Sequence, residues 1–341
     1  MVELKIDLNE FEKFINEFVN RDIELYTIIK YQLGICDEYG QDLNESVIKE
    51  RNFAILTLMV NKILMNDSQK SIPLASGIEL LGNSWYVHGD VQSGITHRNH
   101  KPSVWWIWGP AQAINAGDGF HALARLVIVD NSENYGDEKI LIALNRFDLA
   151  FLDLSEGESL DISFQDKPIV TIEEYMKMVK KRSGSLTGCA FEFGLLGSDL
   201  PESMNDEQIK IFNQIGSNYG VFSQLRDDWK TIFESETPSP QLFHRFTSKK
   251  KNIPVLYGLE FESATIKRQI GEIYLKRVLE EEDRKQIAKL ILNTDFQNYY
   301  KNLIQEIKKE LFFDVDRSFL SYNQKTLLKS FFEKQYFDLE I

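Results

Sequence analysis

Residues 78–126 read IELLGNSWYVHGDVQSGITHRNHKPSVWWIWGPAQAINAGDGFHALARL. Ser76–Val91 carries Ile78, Leu80, Leu81, Trp85 and Val87 mostly on its inward side, which predicts a buried helix. Thr96–Ser103 is polar and cationic and reads as a loop. Val104–Asp130 predicts a second long buried helix. It should be broken or bent at Gly109-Pro110, because proline lacks an amide donor and its ring crowds the preceding turn. Two buried helices flanking one cationic loop point to an all-α fold.

Working outward, Asp7 or Asn9 can cap a helix that runs to about Leu33, and Gly34–Asn44 is a polar loop. A helix from about Glu45 to Met65 ends at Asn66-Asp67-Ser68. Downstream, helices are predicted at about Glu138–Leu154, Ile172–Lys181, Gly184–Gly197 and Asp206–Ser235, with Glu156–Ile169 irregular. Glu236–Lys251, with Pro238 and Pro240, reads as a loop, and Pro254–Tyr336 as four or five shorter helices. No segment alternates cleanly with period two, so no strand is expected. No repeat or composition shift marks a linker, and residues 1–341 are read as a single domain.

Thirty-nine basic residues against 52 acidic ones give a net charge of −13. That balance argues against nucleic acid as the main partner, since binding it needs clustered Lys and Arg to neutralise phosphates. A local basic pocket for a small diphosphate remains compatible with it. Cys36 and Cys189 are the only cysteines, far apart and outside any CxxC, which suits neither a disulfide framework nor a zinc site. The N-terminal MVELKIDLNEFEKF lacks the apolar core of a signal peptide, and no run of roughly 18 apolar residues exists. A cytoplasmic protein with no transmembrane segment is expected.

The second informative stretch is Gln224-Leu225-Arg226-Asp227-Asp228-Trp229-Lys230-Thr231. Trp229 and Phe222 imply that this turn is at least half buried. A buried carboxylate pair needs a counter-charge or a metal. Alternatively, Arg226 and Lys230, one turn apart, simply pair with solvent-facing acids.

From Ile78 onward the order of these stretches resembles the trans-isoprenyl diphosphate synthase, or polyprenyl synthetase, family. That family has a helix ending in HDDxxD, an RRGxPT loop and a helix carrying GxAxAxxAGD, as 78–126 has with substitutions. Arg182-Ser183-Gly184-Ser185-Leu186 resembles its KTGxL box, Ile209–Thr231 its GxxFQxxDDxxD helix, and KKNIPVLY from Lys250 to Tyr257 its K-x-T-L-P-x-L stretch. The resemblance covers roughly residues 20–300 and implies an isoprenoid-synthase helical bundle around a central pocket. It also implies a dimer, either with itself or with a related synthase. In the family, Asp-rich motifs on facing helices hold three Mg2+ ions around the diphosphate of an allylic substrate. Ionisation then gives an allylic cation that isopentenyl diphosphate attacks, and the metals neutralise the departing charge.

The resemblance assigns roles residue by residue. Asp227, Asp228 and Arg182 take catalytic positions. Arg98, Arg182, Gln224 and Lys250 take positions around the allylic diphosphate. Lys49 and Arg51, in VIKERNF, stand where the family's GGKRxRP box grips isopentenyl diphosphate. Asp90 and Asp227 are the implied metal ligands. The departures are equally specific. The first and last acids of DDxxD, four residues apart on one helix face, are here Gly89 and Ser93. Asp90, the surviving middle acid, is rotated about 100° from them. Thr231 replaces the last acid of the second motif, Asn99 the second Arg of the loop, and Arg245 an acid before Lys250. A weakened Mg2+ site with fewer than three ions is therefore expected.

Three functions fit: a divergent prenyltransferase acting on an allylic prenyl diphosphate, a catalytically silent partner of an intact synthase, or a terpene cyclase. A cyclase can dispense with the isopentenyl site but not easily with the first acidic motif. Trp85 and Tyr86, just before that motif, would favour a short prenyl pocket.

Overall fold

The computed structural model describes residues 6–43, 50–65, 67–99, 101–198, 206–234 and 239–337. Its centre is a pair of long helices, α4 (Ile72–Ser93) and α5 (Val104–Val129), packed along their length. Ile78, Leu80, Leu81 and Val87 of α4 are all buried, as the sequence reading requires. Each such side chain removed from water contributes roughly 1.5–3 kcal/mol. Gly94, at φ 68°, closes α4 in the left-handed conformation that favours glycine. Gly109, at φ 81° and ψ 162°, breaks the helical path before Pro110 at the expected place.

Before this pair come α1 (Asn9–Phe18), α2 (Glu24–Gln32) and α3 (Ala54–Met65). The single helix expected to Leu33 is thus two, separated by the Asn20–Asp22 turn. The expected start of the third helix at Glu45 lies outside the described residues; the described helix begins at Ala54. Its first amides are capped from a distance: the buried Glu79 of α4 accepts hydrogen bonds from the N–H groups of Phe53 and Ala54, both at 3.0 Å. The cationic loop folds into a two-residue hairpin, β1 (His97–Arg98) with β2 (Lys101–Pro102), which sequence periodicity cannot reveal in so short a piece. Asn99 turns it at φ 51°, a left-handed position that Asn tolerates better than most residues.

After α5 comes α6 (Asp137–Asp166), which runs unbroken through Glu156–Asp166, the stretch expected to be irregular. Then come α7 (Ile172–Arg182), α8 (Gly184–Leu196) and α9 (Asp206–Phe233). Thr171 and Glu174 form a capping box that fixes the start of α7 and so the placing of Arg182 at its end. The loop expected over Glu236–Lys251 contains α10 (Pro240–Thr247), begun by Pro240 and capped by Ser239. Five helices follow Lys251: α11 (Ile253–Phe261), α12 (Ala264–Tyr274), α13 (Glu281–Leu292), α14 (Phe296–Arg317) and α15 (Tyr322–Phe337).

Two apolar cores result. One gathers α1–α5, the first half of α6, α8, the start of α9, the end of α14 and α15. The other gathers the end of α6, α7, the second half of α9, α10–α13 and the start of α14. Both α6 and α9 contribute to each. No described helix is long and apolar enough to cross a membrane.

Candidate functional site

A cavity of about 610 Å³ opens where the ends of α4, α7, α9 and α10 converge. One wall is apolar, from Phe53, Leu56, Trp85 and Tyr86. The rest is charged: six cations line it, Arg98, Arg182, Arg226, Lys230, Arg245 and Lys250, against four carboxylates, Glu50, Glu158, Asp227 and Glu234. A net basic cavity in a chain of charge −13 is a local feature set by the fold. A neighbouring hollow of about 300 Å³ shares Trp85, Gly89 and Glu158 with it. Trp85 therefore stands between the two.

Close helix packing positions the cations. Gly157 of α6 lies against the backbone of Arg182, leaving no room for a Cβ, and Gly220 of α9 lies equally close to Ser183. Arg182 is thereby pressed between α6 and α9. Its Nε donates to Glu158 Oε1 at 2.6 Å and its Nη1 to Gln224 Oε1 at 2.9 Å. Its guanidinium lies 5.3 Å from the Trp85 ring, whose own Nε1 donates to Glu158 at 2.7 Å. Lys250 donates to Asp161 Oδ2 at 2.8 Å. Burial opposes ionisation of Asp161, but Arg182 and Lys250 outweigh it and hold the carboxyl at about 2. Burial and the neighbouring Arg182 push the Lys250 ammonium below its usual range.

Gln224 links this network to the second acidic motif. Its Nε2 donates to Asp228 Oδ1 at 2.9 Å. Asp228 also accepts from the Tyr175 hydroxyl at 2.6 Å and from the Ile253 N–H, at the start of α11, at 3.1 Å. It is fully buried and does not line the cavity, and burial raises its carboxyl to about 6. Asp227 does line the cavity, and burial raises its carboxyl too, against the pull of Arg226 and Arg245.

The residues singled out in the sequence therefore part company. Arg98, Arg182, Gln224, Lys250 and Asp227 meet at the cavity, as do Gly89 and Ser93. Asp90 was expected to face a metal; instead it is buried, and its carboxylate is gripped by Arg98 at 2.6 and 3.0 Å. Helix rotation sets Asp90 about 100° from position 89 but only about 60° from position 93, so it is the grip of Arg98 that holds its carboxylate off the cavity. Arg51 was expected at a substrate; instead it is sealed against Glu12 at 2.7 and 3.0 Å and the Leu33 carbonyl at 2.8 Å. Asp228, expected to be catalytic, is enclosed by its three donors. Lys49 lies outside the described residues. The sequence reading missed Glu158, Asp161 and Tyr175. Glu158 and Asp161 are three residues apart, a spacing that shares a helix face, but they sit in the stretch expected to be irregular.

Magnesium prefers near-octahedral oxygen coordination through one or two carboxylates plus phosphates. Of Asp90, Asp227 and Asp228, only Asp227 presents its carboxylate to the cavity, with cationic neighbours around it. The donors do not form two facing acidic groups, and they do not fit a multi-metal cluster.

Solved structures of similar fold include a polyprenyl synthetase from Streptomyces coelicolor A3(2), which superposes with a TM-score of 0.81 at 22% identity, over 94% of this chain and 95% of that one. The (2E,6E)-farnesyl diphosphate synthase of Mycobacterium tuberculosis is 29% identical over 238 residues, 69% of this chain and 64% of that enzyme's length. The geranylgeranyl diphosphate synthase of Saccharolobus solfataricus is 24% identical over 295 residues, 86% of this chain and 87% of that one. The polyprenyl synthetase family matches residues 50–291, more than two thirds of the sequence. With four motif stretches in the family's order on an all-α bundle of the family's shape, this chain belongs to the polyprenyl synthetase family.

Proposed function

We propose that the protein is a divergent prenyltransferase of the isoprenyl diphosphate synthase type, holding an allylic prenyl diphosphate in the central cavity. The carrying observation is the pairing of cations with an aromatic wall: Arg182 stands 5.3 Å from the Trp85 ring and Arg98 4.7 Å from the Tyr86 ring. The cations orient the phosphate oxygens through charge-assisted hydrogen bonds, the strong kind. The prenyl tail lies against Phe53, Leu56, Trp85 and Tyr86, which exclude water. Ring faces carry negative potential, so Trp85 and Tyr86 favour positive charge developing on the allylic carbons as the diphosphate departs. Impaired metal and isopentenyl diphosphate sites belong to the same reading, as do a single domain, a cytoplasmic location and a homodimer or a heterodimer with a related synthase. Asp227 is the one carboxylate of the two motifs left facing the cavity.

Calorimetry with farnesyl thiodiphosphate, with and without Mg2+, is expected to give micromolar-scale binding. No heat at millimolar ligand would remove the reading. Condensation of labelled isopentenyl diphosphate with dimethylallyl, geranyl or farnesyl diphosphate is expected to run far below the ordinary enzyme rate of about 1 s⁻¹. Turnover near that value would mean that Gly89, Ser93 and Asn99 cost little. A second reading, a catalytically silent partner of an intact synthase, is favoured by the enclosure of Asp90 and Asp228. Ligand binding without any diphosphate release, together with co-purification of an active synthase, would select it.

A further inference from the structure

The six cavity cations fall into two groups. Arg98, Arg182 and Lys250 each have a carboxylate within 3 Å: Asp90 at 2.6 Å, Glu158 at 2.6 Å and Asp161 at 2.8 Å. Arg226, Lys230 and Arg245 do not, among the described residues. The carboxylate nearest to Arg245 is that of Asp228, at 3.8 Å, and Asp228 is already held by three other donors. Arg245 Nη2 and Arg226 Nε are buried with no hydrogen-bond acceptor among the described residues. The second group is also spatially compact. Arg226 and Lys230 are four apart on α9 and share a face, and α10, which carries Arg245, packs on α9.

Buried donors without acceptors are costly, and three cations beside two carboxylates, Asp227 and Glu234, leave an excess of positive charge. An anion with several oxygens relieves both. A divalent cation relieves neither, and it would have to sit among groups of its own sign. We propose that Arg226, Lys230 and Arg245 form an anion subsite that holds the ligand's diphosphate without a metal ion. Their fixed positive charges stand in for divalent cations. The hydroxyls of Ser223 and Ser239, which line the same cavity, supply further donors. The proposal rests on the prenyl diphosphate reading above and adds to it the manner of recognition. It concerns binding; no bond is made or broken in it.

Calorimetry in EDTA and in Mg2+ tests it with two probes, inorganic pyrophosphate and farnesyl thiodiphosphate. The thiodiphosphate is expected to bind in EDTA within about threefold of its Kd in Mg2+, with pyrophosphate competing. Arg245→Gln and Lys230→Gln are each expected to weaken binding in EDTA by about tenfold, the scale of one lost charge-assisted contact. Arg245→Lys, which keeps the charge, should recover most of the loss; equal weakening by both Arg245 variants would assign Arg245 a packing role and overturn its part in the subsite. If Arg245→Gln fails to fold, Lys230→Gln carries the test from the partly exposed face of α9, and unchanged binding there overturns the proposal. Binding more than tenfold weaker in EDTA than in Mg2+ overturns the metal-free subsite and leaves the prenyl diphosphate reading standing. Absence of thiodiphosphate binding in both conditions overturns both.

Discussion

Asp228 receives hydrogen bonds from a tyrosine on α7, a glutamine on its own helix and the first amide of α11. It therefore knits three helices behind the cavity, and removing it leaves three buried donors unmet. Asp228→Ala is expected to lower stability by about 3 kcal/mol or more, since each orphaned group costs roughly 1–3 kcal/mol; chemical denaturation measures it. A pH signature follows. Burial raises its carboxyl from an ordinary 3.8 to about 6, while Arg245 opposes the rise. Between pH about 4 and about 6 the unfolded chain has lost this proton and the folded chain keeps it, so its contribution to stability falls as pH rises through that window. The slope is at most roughly 1.4 kcal/mol per pH unit. Asp161, held down at about 2, works in the opposite sense and loses its contribution only below its unfolded value. Asp228→Asn should flatten the decline above pH 4 in denaturation series; an unchanged profile would assign it to another buried acid, such as Glu192, which burial raises to about 7. That Asp228 is buried and needs partners was legible in the sequence from Phe222 and Trp229 around it. Its partners were not, because Tyr175 lies 53 residues away and the Ile253 amide has no side-chain signature at all.

Helix α4 delivers positions 89 and 93 to the cavity on one face while turning Asp90 into Arg98. That division was readable only in part, because 100° per residue separates Asp90 from Gly89 but leaves it about 60° from Ser93, on a shared face. The grip of Arg98 on Asp90 was not readable, because it depends on the hairpin folding back along α4. The long α6 was misread for a related reason. Ser155, Gly157, Ser159 and Ser163 weaken its intrinsic propensity, and packing against α7 and α8 overrides them. Gly89 is the one cavity-lining position of α4 without a side chain, and a Cβ built there meets nothing within 4 Å. Gly89→Asp, paired with Ser93→Asp, should therefore begin its side chain in open space, and the loss of a helical glycine should help by roughly 0.5–1 kcal/mol. The two new carboxylates stand in the cavity that Asp227 also lines. The double variant is expected to bind farnesyl thiodiphosphate more tightly in Mg2+ than in EDTA by at least about tenfold, a dependence that the wild-type protein should lack. Release of diphosphate from farnesyl diphosphate should then become metal-dependent as well. A folded double variant with no such dependence would mean that the cations of α9 and α10 exclude divalent ions from the whole cavity.

Across the whole molecule, the apolar side chains left in water are not scattered evenly. Leu126 and Val129 end α5, and Leu141, Leu149 and Leu152 follow along α6, each at least 43% exposed. Leu141 and Leu152 are eleven residues apart, close to three helical turns, so they project from nearly the same line of α6. A stripe of this kind on neighbouring helices marks a contact surface more often than an unused one, and resemblance to the family had already suggested a dimer. A two-fold axis would place the stripe against its own copy, making each leucine count twice. Each is already about half buried, so covering it adds roughly half of the 1.5–3 kcal/mol of a fully buried leucine, and the stripe is the apolar centre of a larger interface. Sedimentation equilibrium is expected to give about twice the 39.6 kDa chain mass. Leu141→Glu with Leu152→Glu should return it to the monomer mass with helicity unchanged. A heterodimer is expected to bury the same stripe. Co-expression then separates the two readings of function: a chain that prefers its own copy acts alone on its ligand, whereas one that exchanges into an intact synthase and alters its product lengths acts as a partner. A wild-type chain that sediments at 39.6 kDa at about 10 μM would leave the stripe without a copy to cover it, and the partner arrangement would become the one to pursue.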